Sequence, residues 1–308
     1  MKVGVCNDIH SADFLLGEVL CGLQNLSSGD CLIINGDLAS RGMITNPIVA
    51  LYYKVKRDEA DIMELIELLH KYDESIILGD LVEESIHSGT FLSELAYQSH
   101  PFKQIMEDEI QYNLKFMKII GCFANLRGVT VYYLPGNGEV FPLDYDTSEG
   151  VDKELLVPED QRVINRLQRS GVFGEYHVKY IDFPLIIRHR LALLPLNVID
   201  SDDCLDVSES DSRHVTHVVV HYPPAADSMT EFFNRIFGYR PNALENHRRN
   251  VVSHRLNRFD NANHIYCGHI HTGADEQRSM ALPVSATFEV DGRTVHWVKP
   301  GHLEIFTI

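Results

Sequence analysis

The fold class follows from residues 2–37, whose sequence is KVGVCNDIHSADFLLGEVLCGLQNLSSGDCLIINGD. Lys2–Cys6 and Cys31–Asn35 are short apolar runs typical of buried strands, and Phe14–Leu26 has apolar residues at helical spacing. This strand–helix–strand opening predicts a layered α/β core. Three further β-branched or aromatic runs predict core strands at Val129–Leu134, Val215–Val220 and His264–Cys267.

Side chains that bind metal ions well follow each of these five predicted strands. They stand in Asp8-Ile9-His10, Gly36-Asp37, Gly136-Asn137, His221 and Gly268-His269-Ile270-His271. Because ligands in open α/β sheets gather beyond the carboxyl ends of the strands, we expect these side chains to converge. Imidazole, carboxylate and amide donors suit Mn, Fe, Zn or Ni better than Ca.

The spacing within these motifs predicts how each metal is held. In extended backbone, residues i and i+2 point to the same side, so Asp8 and His10 can bind one metal together if the extended geometry continues past the strand end. His269 and His271 have the same spacing. The carboxylate of Asp37 can bridge two cations, and Asn137 offers a neutral oxygen. A lone D-x-H or Gly-Asp pair is common, so the prediction depends on the order of all the motifs.

Composition limits the class of partner. The chain has 308 residues, 44% hydrophobic residues and a net charge of −17, which disfavours a broad contact with nucleic acid or an anionic membrane. A small phosphorylated ligand stays compatible, because bound metals supply local positive charge. The six Cys lack C-x-x-C spacing, and neither a signal peptide nor a transmembrane run is visible, so we expect a cytoplasmic protein.

The remaining patterns predict one domain over residues 1–308 with helical additions. Helical periodicity predicts a cap or insertion over about 43–128 and a second cap segment over about 225–263. Other segments give a helix and several strands. These are a helix at Leu155–Ser170, paired strands at Glu175–Asp182 and Leu185–Leu194, and C-terminal strands over Ser285–Ile308 that turn at Asp291-Gly292 and Pro300-Gly301.

Taken in order, the motifs resemble those of the calcineurin-like metallophosphoesterase family: D-x-H, G-D, G-N-H-[ED], a lone His and G-H-x-H. The resemblance spans residues 1–275. It implies a four-layer αββα sandwich with two divalent metal ions, Mn being favoured over Fe, Zn, Ni or Mg. It assigns one metal to Asp8, His10, Asp37 and His271, and the second to Asp37, Asn137, His221 and His269.

One position departs from the family pattern. Gly138 stands where the family has a catalytic His, and Glu139, which normally orients that His, is kept. Losing a general acid typically costs about 10²–10⁴-fold in rate, and it matters least for good leaving groups. A histidine elsewhere or a water on the second metal would have to donate the proton; the candidate histidines are His214, His247 and His254.

Two groups of residues have open interpretations. Residues 36–42 resemble the G-D-x-x-D-R-G run of the family's protein phosphatases with Ser40 in place of Asp, and Arg41 is either a phosphate contact or a solvated loop residue. A second Gly-Asp pair ends at Asp80, which we interpret as a loop or cap residue. A basic stretch is either a solvated helix face or a substrate contact; it comprises Arg248, Arg249, Arg255 and Arg258.

Together these features predict a metal-dependent phosphoesterase. It would hydrolyse a phosphodiester, a pyrophosphate or an activated phosphomonoester by attack of a hydroxide that bridges the metals. The expected substrate is small and nucleotide-like, and the predicted catalytic residues are Asp37, Arg41, Asn137 and Glu139. The alternatives are a non-catalytic binding scaffold on the same fold, which Gly138 favours, and a nuclease, which the acidic charge disfavours.

Overall fold

The computed structural model covers all the predicted core strands. It describes residues 1–10, 13–38, 51, 54–55, 60–72, 100–140, 163–195, 209–237, 243–270 and 285–308. Of the predicted positions, Ser40, Arg41, Asp80 and His271 lie outside these ranges, as do residues 155–162 of the predicted helix Leu155–Ser170.

Strands and helices alternate along much of the described chain. The strands are β1 (Lys2–Cys6), β2 (Cys31–Asn35), β3 (Thr130–Leu134), β4 (Val178–Tyr180), β5 (Leu185–Ile187), β6 (Leu191–Leu194), β7 (His217–Val220), β8 (His264–Cys267), β9 (Ser285–Val290), β10 (Arg293–Val298) and β11 (Glu304–Thr307). The helices are α1 (Asp13–Leu23), α2 (Ile62–Tyr72), α3 (His100–Leu126), α4 (Asn137–Val140), α5 (Val163–Ser170), α6 (Val172–Glu175), α7 (Glu209–Ser212), α8 (Asp227–Phe237) and α9 (Ala243–Leu256).

The strands form two mixed sheets. The first has the order β11-β1-β2-β3-β4 and the second β5-β6-β7-β8-β10-β9. In the first sheet β1 to β4 run parallel and β11 is an antiparallel edge strand. In the second, β6, β7, β8 and β10 are parallel, and β5 and β9 are antiparallel edges. The parallel strands of each sheet therefore direct their carboxyl ends to one side.

The two sheets pack face to face between two helical layers. The apolar layer between the sheets takes side chains from both, among them Val3, Val5, Ile33, Leu193, Val219 and Val298. The outer face of the first sheet is covered by α1, α3, α5 and α6, and that of the second by α8 and α9. The αββα sandwich implied by the family resemblance is therefore confirmed.

The C-terminal turns were also predicted correctly. At the tight turn between β9 and β10, Asp291 and Gly292 have φ of 50° and 75°, the conformation that two-residue hairpins require. The turn around Pro300-Gly301 carries the chain from β10 in the second sheet to β11 in the first. A Cβ on Gly301 would overlap the side chain of Leu15, so this crossing needs glycine.

The predicted pairing of Glu175–Asp182 with Leu185–Leu194 is wrong. β4 pairs with β3 in the first sheet, whereas residues 185–194 form the hairpin of β5 and β6 in the second. Arg188 and His189 occupy the hairpin turn with φ of 51° and 56°, without the Gly or Asn that usually marks such a turn. Apolar alternation identifies strands, but it does not identify their partners.

The predicted insertion is helical where it is described. Phe116, Met117 and Ile120 of α3 are fully buried in the core beneath the first sheet, so this helix is a layer of the sandwich. The division of the chain into a core and caps stays a prediction. No helix within the described ranges combines the length and the apolar character needed to cross a membrane.

Candidate metal centre

Six of the seven predicted metal ligands meet where the two sheets end, and His271 lies outside the described residues. Two groups of donor atoms form there, and the atoms in each lie within 4.8 Å of one another. The groups are Asp8, His10 and Asp37, and Asp37, His221 and His269. Asp37 therefore belongs to both.

The distances within the groups suit shared cations. His10 Nε2 lies 3.6 Å from Asp8 Oδ1 and 3.9 Å from Asp37 Oδ2. His221 Nε2 lies 3.5 Å from the same Asp37 oxygen. Contacts this long are poor direct hydrogen bonds. Ligands that each sit about 2.1 Å from one divalent ion lie about 3 Å or more apart, so the donor set fits such ions.

Asn137 completes the second group. Its Oδ1 lies 3.0 Å from His221 Nε2 and 2.9 Å from His269 Nδ1. On the other side of its ring, His221 Nδ1 is 2.8 Å from the carbonyl oxygen of Asn35 and donates a hydrogen bond to it. In the neutral ring this arrangement leaves the lone pair of Nε2 facing the site, as metal binding requires.

The backbone at the ligands is left-handed. φ is 53° at Asp8, 48° at His10, 50° at Asp37 and 69° at His269. The backbone is therefore not extended past the end of β1, the condition on which the sequence argument depended, yet the side chains of Asp8 and His10 do meet. Such conformations cost about 1–3 kcal/mol each in non-glycine residues and are typical of functional sites. Backbone hydrogen bonds hold the first two of these residues, from Asp8 N to Gly36 O and from His10 N to Asp37 O, each 3.1 Å.

The glycines of the motifs are explained by close approach. A Cβ on Gly36 would lie 2.5 Å from Gly136 Cα and 2.6 Å from His221 Nδ1. A Cβ on Gly136 would overlap the carboxylate of Asp37. Any side chain at either position would thus push a ligand-bearing loop away from the site, which accounts for the Gly-Asp and Gly-Asn pairs.

Glu139 lies beneath the ligands and braces their loops. Its carboxylate accepts hydrogen bonds from the backbone N–H groups of Asp37 (3.0 Å), Leu38 (2.7 Å) and Gly136 (2.8 Å). These bonds join the loop after β2 to the loop after β3. The geometry gives Glu139 a positioning role in place of the orientation of a histidine that the family pattern predicts.

The electrostatics of the site couple its acids and imidazoles. Burial alone would raise the pKa of Asp37, yet His221, His10 and His269 together outweigh it and hold that pKa well below its usual value. Burial lowers the pKa of His221, but Asp37, Asp8 and the carbonyl of Asn35 together raise it to about 9. Burial and the Asp37 carboxylate raise the pKa of Glu139, against which the three backbone N–H groups act.

Two of the histidines proposed as proton donors in place of a side chain at Gly138 are poorly placed. Gly138 itself lies in α4 beside the ligands. His214 precedes β7, at the end opposite His221, and His254 is exposed in the last turn of α9. The side chain of His247 is outside the described part of the chain.

The basic stretch is not a solvated face throughout. Arg249 is 1% exposed and Arg255 is 8% exposed, whereas Arg258 is exposed. Arg249 Nη1 donates to Thr230 Oγ1 at 3.2 Å, so this arginine joins α9 to α8 within the outer layer. The side chain of Arg248 is not among those described.

Sequence reasoning missed three residues that touch the ligands. The ring of Tyr222 is fully buried with its centroid 4.2 Å from that of His269. Asn7 and Asn35 are also fully buried and form hydrogen bonds with Asp8 and His221, respectively. The feature of the sequence that could have identified them was their position, since each stands next to a motif.

Comparison with protein families agrees with this geometry. The model of the family described as calcineurin-like phosphoesterase matches residues 1–273. The chain belongs to the calcineurin-like phosphoesterase family. Membership supports a metal-dependent hydrolase of phosphoesters in general. No curated protein matches the chain.

Solved structures resemble the chain over nearly its full length but at low identity. The phosphopantetheinyl hydrolase PptH from Mycobacterium tuberculosis is 11% identical, with a TM-score of 0.40 over 97% of this chain and 90% of that chain. The protein TT1561 of Thermus thermophilus is 7% identical, with a TM-score of 0.38 over 99% of this chain and 98% of that chain. Similarity this distant carries no information on the substrate.

Proposed function

We propose that the protein is a two-metal phosphoesterase that hydrolyses a small phosphodiester, pyrophosphate or activated phosphomonoester. The observation that carries the proposal is the position of Asp37, whose carboxylate belongs to both groups of donor atoms. A carboxylate shared in this way is how proteins hold two metals about 3.5–4 Å apart, a spacing used in phosphate ester hydrolysis.

The residues fall into two sets. Asp8, His10 and Asp37 would hold one ion, and the family resemblance adds His271 to this set. Asp37 also belongs to the second set, with Asn137, His221 and His269. Bound divalent ions, with Mn the first candidate, would supply Lewis-acid stabilisation of phosphate charge and activation of water.

The chain itself contributes orientation. The hydrogen bond from His221 Nδ1 to Asn35 O fixes the ring and its tautomer. Glu139 fixes the loops that carry Asp37 and Asn137. Arg41, which follows Asp37 by four residues, is proposed to contact the substrate phosphate through its planar guanidinium.

The substrate class follows from Gly138 and from charge. Glycine has no side chain to protonate a leaving oxygen, so substrates whose leaving group needs little protonation are favoured. These include nucleotide, aryl and pyrophosphate groups. With a net charge of −17, a small nucleotide-like compound fits better than a long nucleic acid.

A non-catalytic scaffold is the second candidate, and Gly138 is the feature that favours it. The left-handed backbone at four ligand positions argues against it. A scaffold gains nothing from strain of about 1–3 kcal/mol at each of these positions, whereas a metal site gains donor atoms held in place.

The test is hydrolysis of bis-p-nitrophenyl phosphate and p-nitrophenyl phosphate by metal-stripped protein reloaded with Mn. We expect Mn-dependent turnover, a preference for the diester, and loss of turnover in Asp37→Asn. Asp13→Asn is the matched control, because Asp13 is exposed and pairs with Lys115. Absence of turnover on both substrates with two Mn bound would favour the scaffold, and a monoester preference would contradict the role given to Gly138.

A further inference from the structure

Two asparagines occupy equivalent places in the sandwich. Asn7 directly follows β1 and Asn35 ends β2, so both stand where a strand of the first sheet ends. Each side chain reaches across to the second sheet. Asn7 Nδ2 donates to Val298 O at 3.0 Å and Asn35 Nδ2 donates to Val220 O at 3.0 Å. Val298 and Val220 are themselves the last residues of β10 and β7.

Each asparagine also holds one metal-ligand side chain. Asn7 Nδ2 donates to Asp8 Oδ2 at 2.6 Å. At Asn35 the backbone carbonyl accepts from His221 Nδ1 at 2.8 Å, while the side-chain Nδ2 donates to the carbonyl of Val220, the residue before His221. Asp8 belongs to the first group of donor atoms and His221 to the second. The same residue that joins the sheets thus fixes one ligand in each group.

These side chains are costly to bury. Both asparagines are fully buried, and the Oδ1 atom of each has no hydrogen-bond partner among the described residues. Buried polar atoms are nearly always paired in proteins, so packing alone does not account for asparagine at either position. A second constraint acts at Asn7, because a Cβ on Gly268 would overlap its amide and lie 2.5 Å from Asp8 Oδ2.

We propose that Asn7 and Asn35 are positioning residues of the metal centre, one for each metal, and that they couple the packing of the two sheets to the metal geometry. The side chain of Asn7 sets the carboxylate of Asp8 directly. The side chain of Asn35 acts on His221 through Val220 O, because that bond holds the end of β7 where the His221 ring meets the Asn35 carbonyl. The proposal rests on the proposed two-metal function, but it concerns metal affinity and does not depend on which ester is hydrolysed.

The variants are Asn7→Leu and Asn35→Leu, which keep the side-chain volume and the backbone carbonyls. Asn7→Leu removes the bonds to Asp8 and Val298, and Asn35→Leu removes the bond to Val220. Calorimetric titration with Mn measures the affinity of each metal, and urea titration measures the stability of the metal-free protein. We expect Asn7→Leu to weaken one of two Mn sites by about 10–100-fold, and Asn35→Leu to weaken the other by a similar factor.

Val3→Ala is the matched control. Val3 is fully buried in the layer between the sheets, near the start of β1 and away from the ligands. The Val3→Ala variant should be less stable than the wild type and should keep both Mn affinities. If a Leu variant does not fold, Asn7→Ser or Asn35→Ser takes its place, because a hydroxyl keeps one donor and should retain part of the affinity.

Three results would overturn the inference. Leu variants that bind both Mn ions as tightly as the wild type would show that the asparagines position nothing. An equal loss of Mn affinity in Val3→Ala would reduce their role to general packing. A wild type that binds fewer than two Mn ions would overturn the proposed two-metal function as well, so the two failures are distinguishable.

Discussion

The second sheet carries histidines at both ends of the same two strands. His217 and His264 begin β7 and β8, whereas His221 and His269 follow the other ends of these strands. At the metal end, Asp37, Asp8 and the carbonyl of Asn35 together outweigh burial and raise the pKa of His221 to about 9. At the far end, burial, His264 and His296 lower the pKa of His217 to about 4.

The contacts explain the difference. The ring of His217 stacks on His264 at 4.9 Å and on Phe306 at 5.0 Å between ring centroids. His264 Nδ1 and His296 Nε2 lie 3.2 Å apart. At the metal end the imidazoles therefore contact carboxylates, whereas at the far end they contact other rings. Histidines on the same strand therefore differ in role because their neighbours differ. The neighbours decide whether a histidine is suited to metal binding or to packing.

Adding an imidazole to the metal end should give the largest effect. In Gly138→His the position regains a potential general acid, so hydrolysis of monoesters with poor leaving groups, such as phenyl phosphate, should rise by up to about 10²-fold. The gain on bis-p-nitrophenyl phosphate should be smaller. Steady-state rates measure both.

Gly138→Ala is the control for the backbone change in that experiment. Equal rates for the Ala and His variants on phenyl phosphate would mean that the site already has a proton donor, or that the new ring does not reach the leaving oxygen.

Glu139→Gln tests whether the loops at the metal end need bracing. The variant replaces a carboxylate oxygen that accepts backbone hydrogen bonds with an NH₂ group that faces an N–H. We expect Mn affinity, measured by calorimetry, to fall by about 10–100-fold. Glu107→Gln is the control, since Glu107 forms a partly exposed ion pair with Arg166. Wild-type affinity in Glu139→Gln would remove Glu139 from the metal centre.

The smallest effect is expected at the far end. Because the folded protein favours the neutral ring of His217, its stabilising contribution is complete above pH 6.5 and is lost as the pH falls through about 4. For this half-buried ring, solvent screening leaves a loss of about 1–2 kcal/mol. His217→Phe keeps the stack on Phe306 and should lose less unfolding free energy between pH 7 and pH 4.5, measured by urea titration.

His70→Phe, at an exposed histidine of α2, is the control for this pH experiment. If His217→Phe loses as much unfolding free energy between pH 7 and pH 4.5 as the wild type does, the effect does not arise from His217. In either case, Mn affinity at pH 7 should not change, because the two ends of the sheet are predicted to be independent.

Strands and motif positions were predictable, since each depends on local pattern. Apolar runs located β1, β2 and β8 correctly, and the donor residues after them do converge. The assignment of strands to two sheets came from the family resemblance, because periodicity does not specify partners. For the same reason β4 was paired with the wrong segment.

Other parts of the site depend on contacts that sequence does not display. The left-handed backbone of Asp8 and His10 arises from hydrogen bonds to the loop after β2, which is distant along the chain. Asn7 and Asn35 were overlooked because asparagine near a strand end usually indicates a turn. Arg249 looked like a surface residue because its burial depends on how α8 and α9 pack.

The central claim is that Asp37 is shared by two metals, and Mn stoichiometry in wild type and Asp37→Asn tests it most directly. Calorimetric titration of metal-stripped protein should give two Mn ions per chain in the wild type. Because Asp37 belongs to both groups of donor atoms, both affinities should fall together in Asp37→Asn. If one Mn site keeps its wild-type affinity in that variant, Asp37 does not bridge and the proposed arrangement of the centre is wrong.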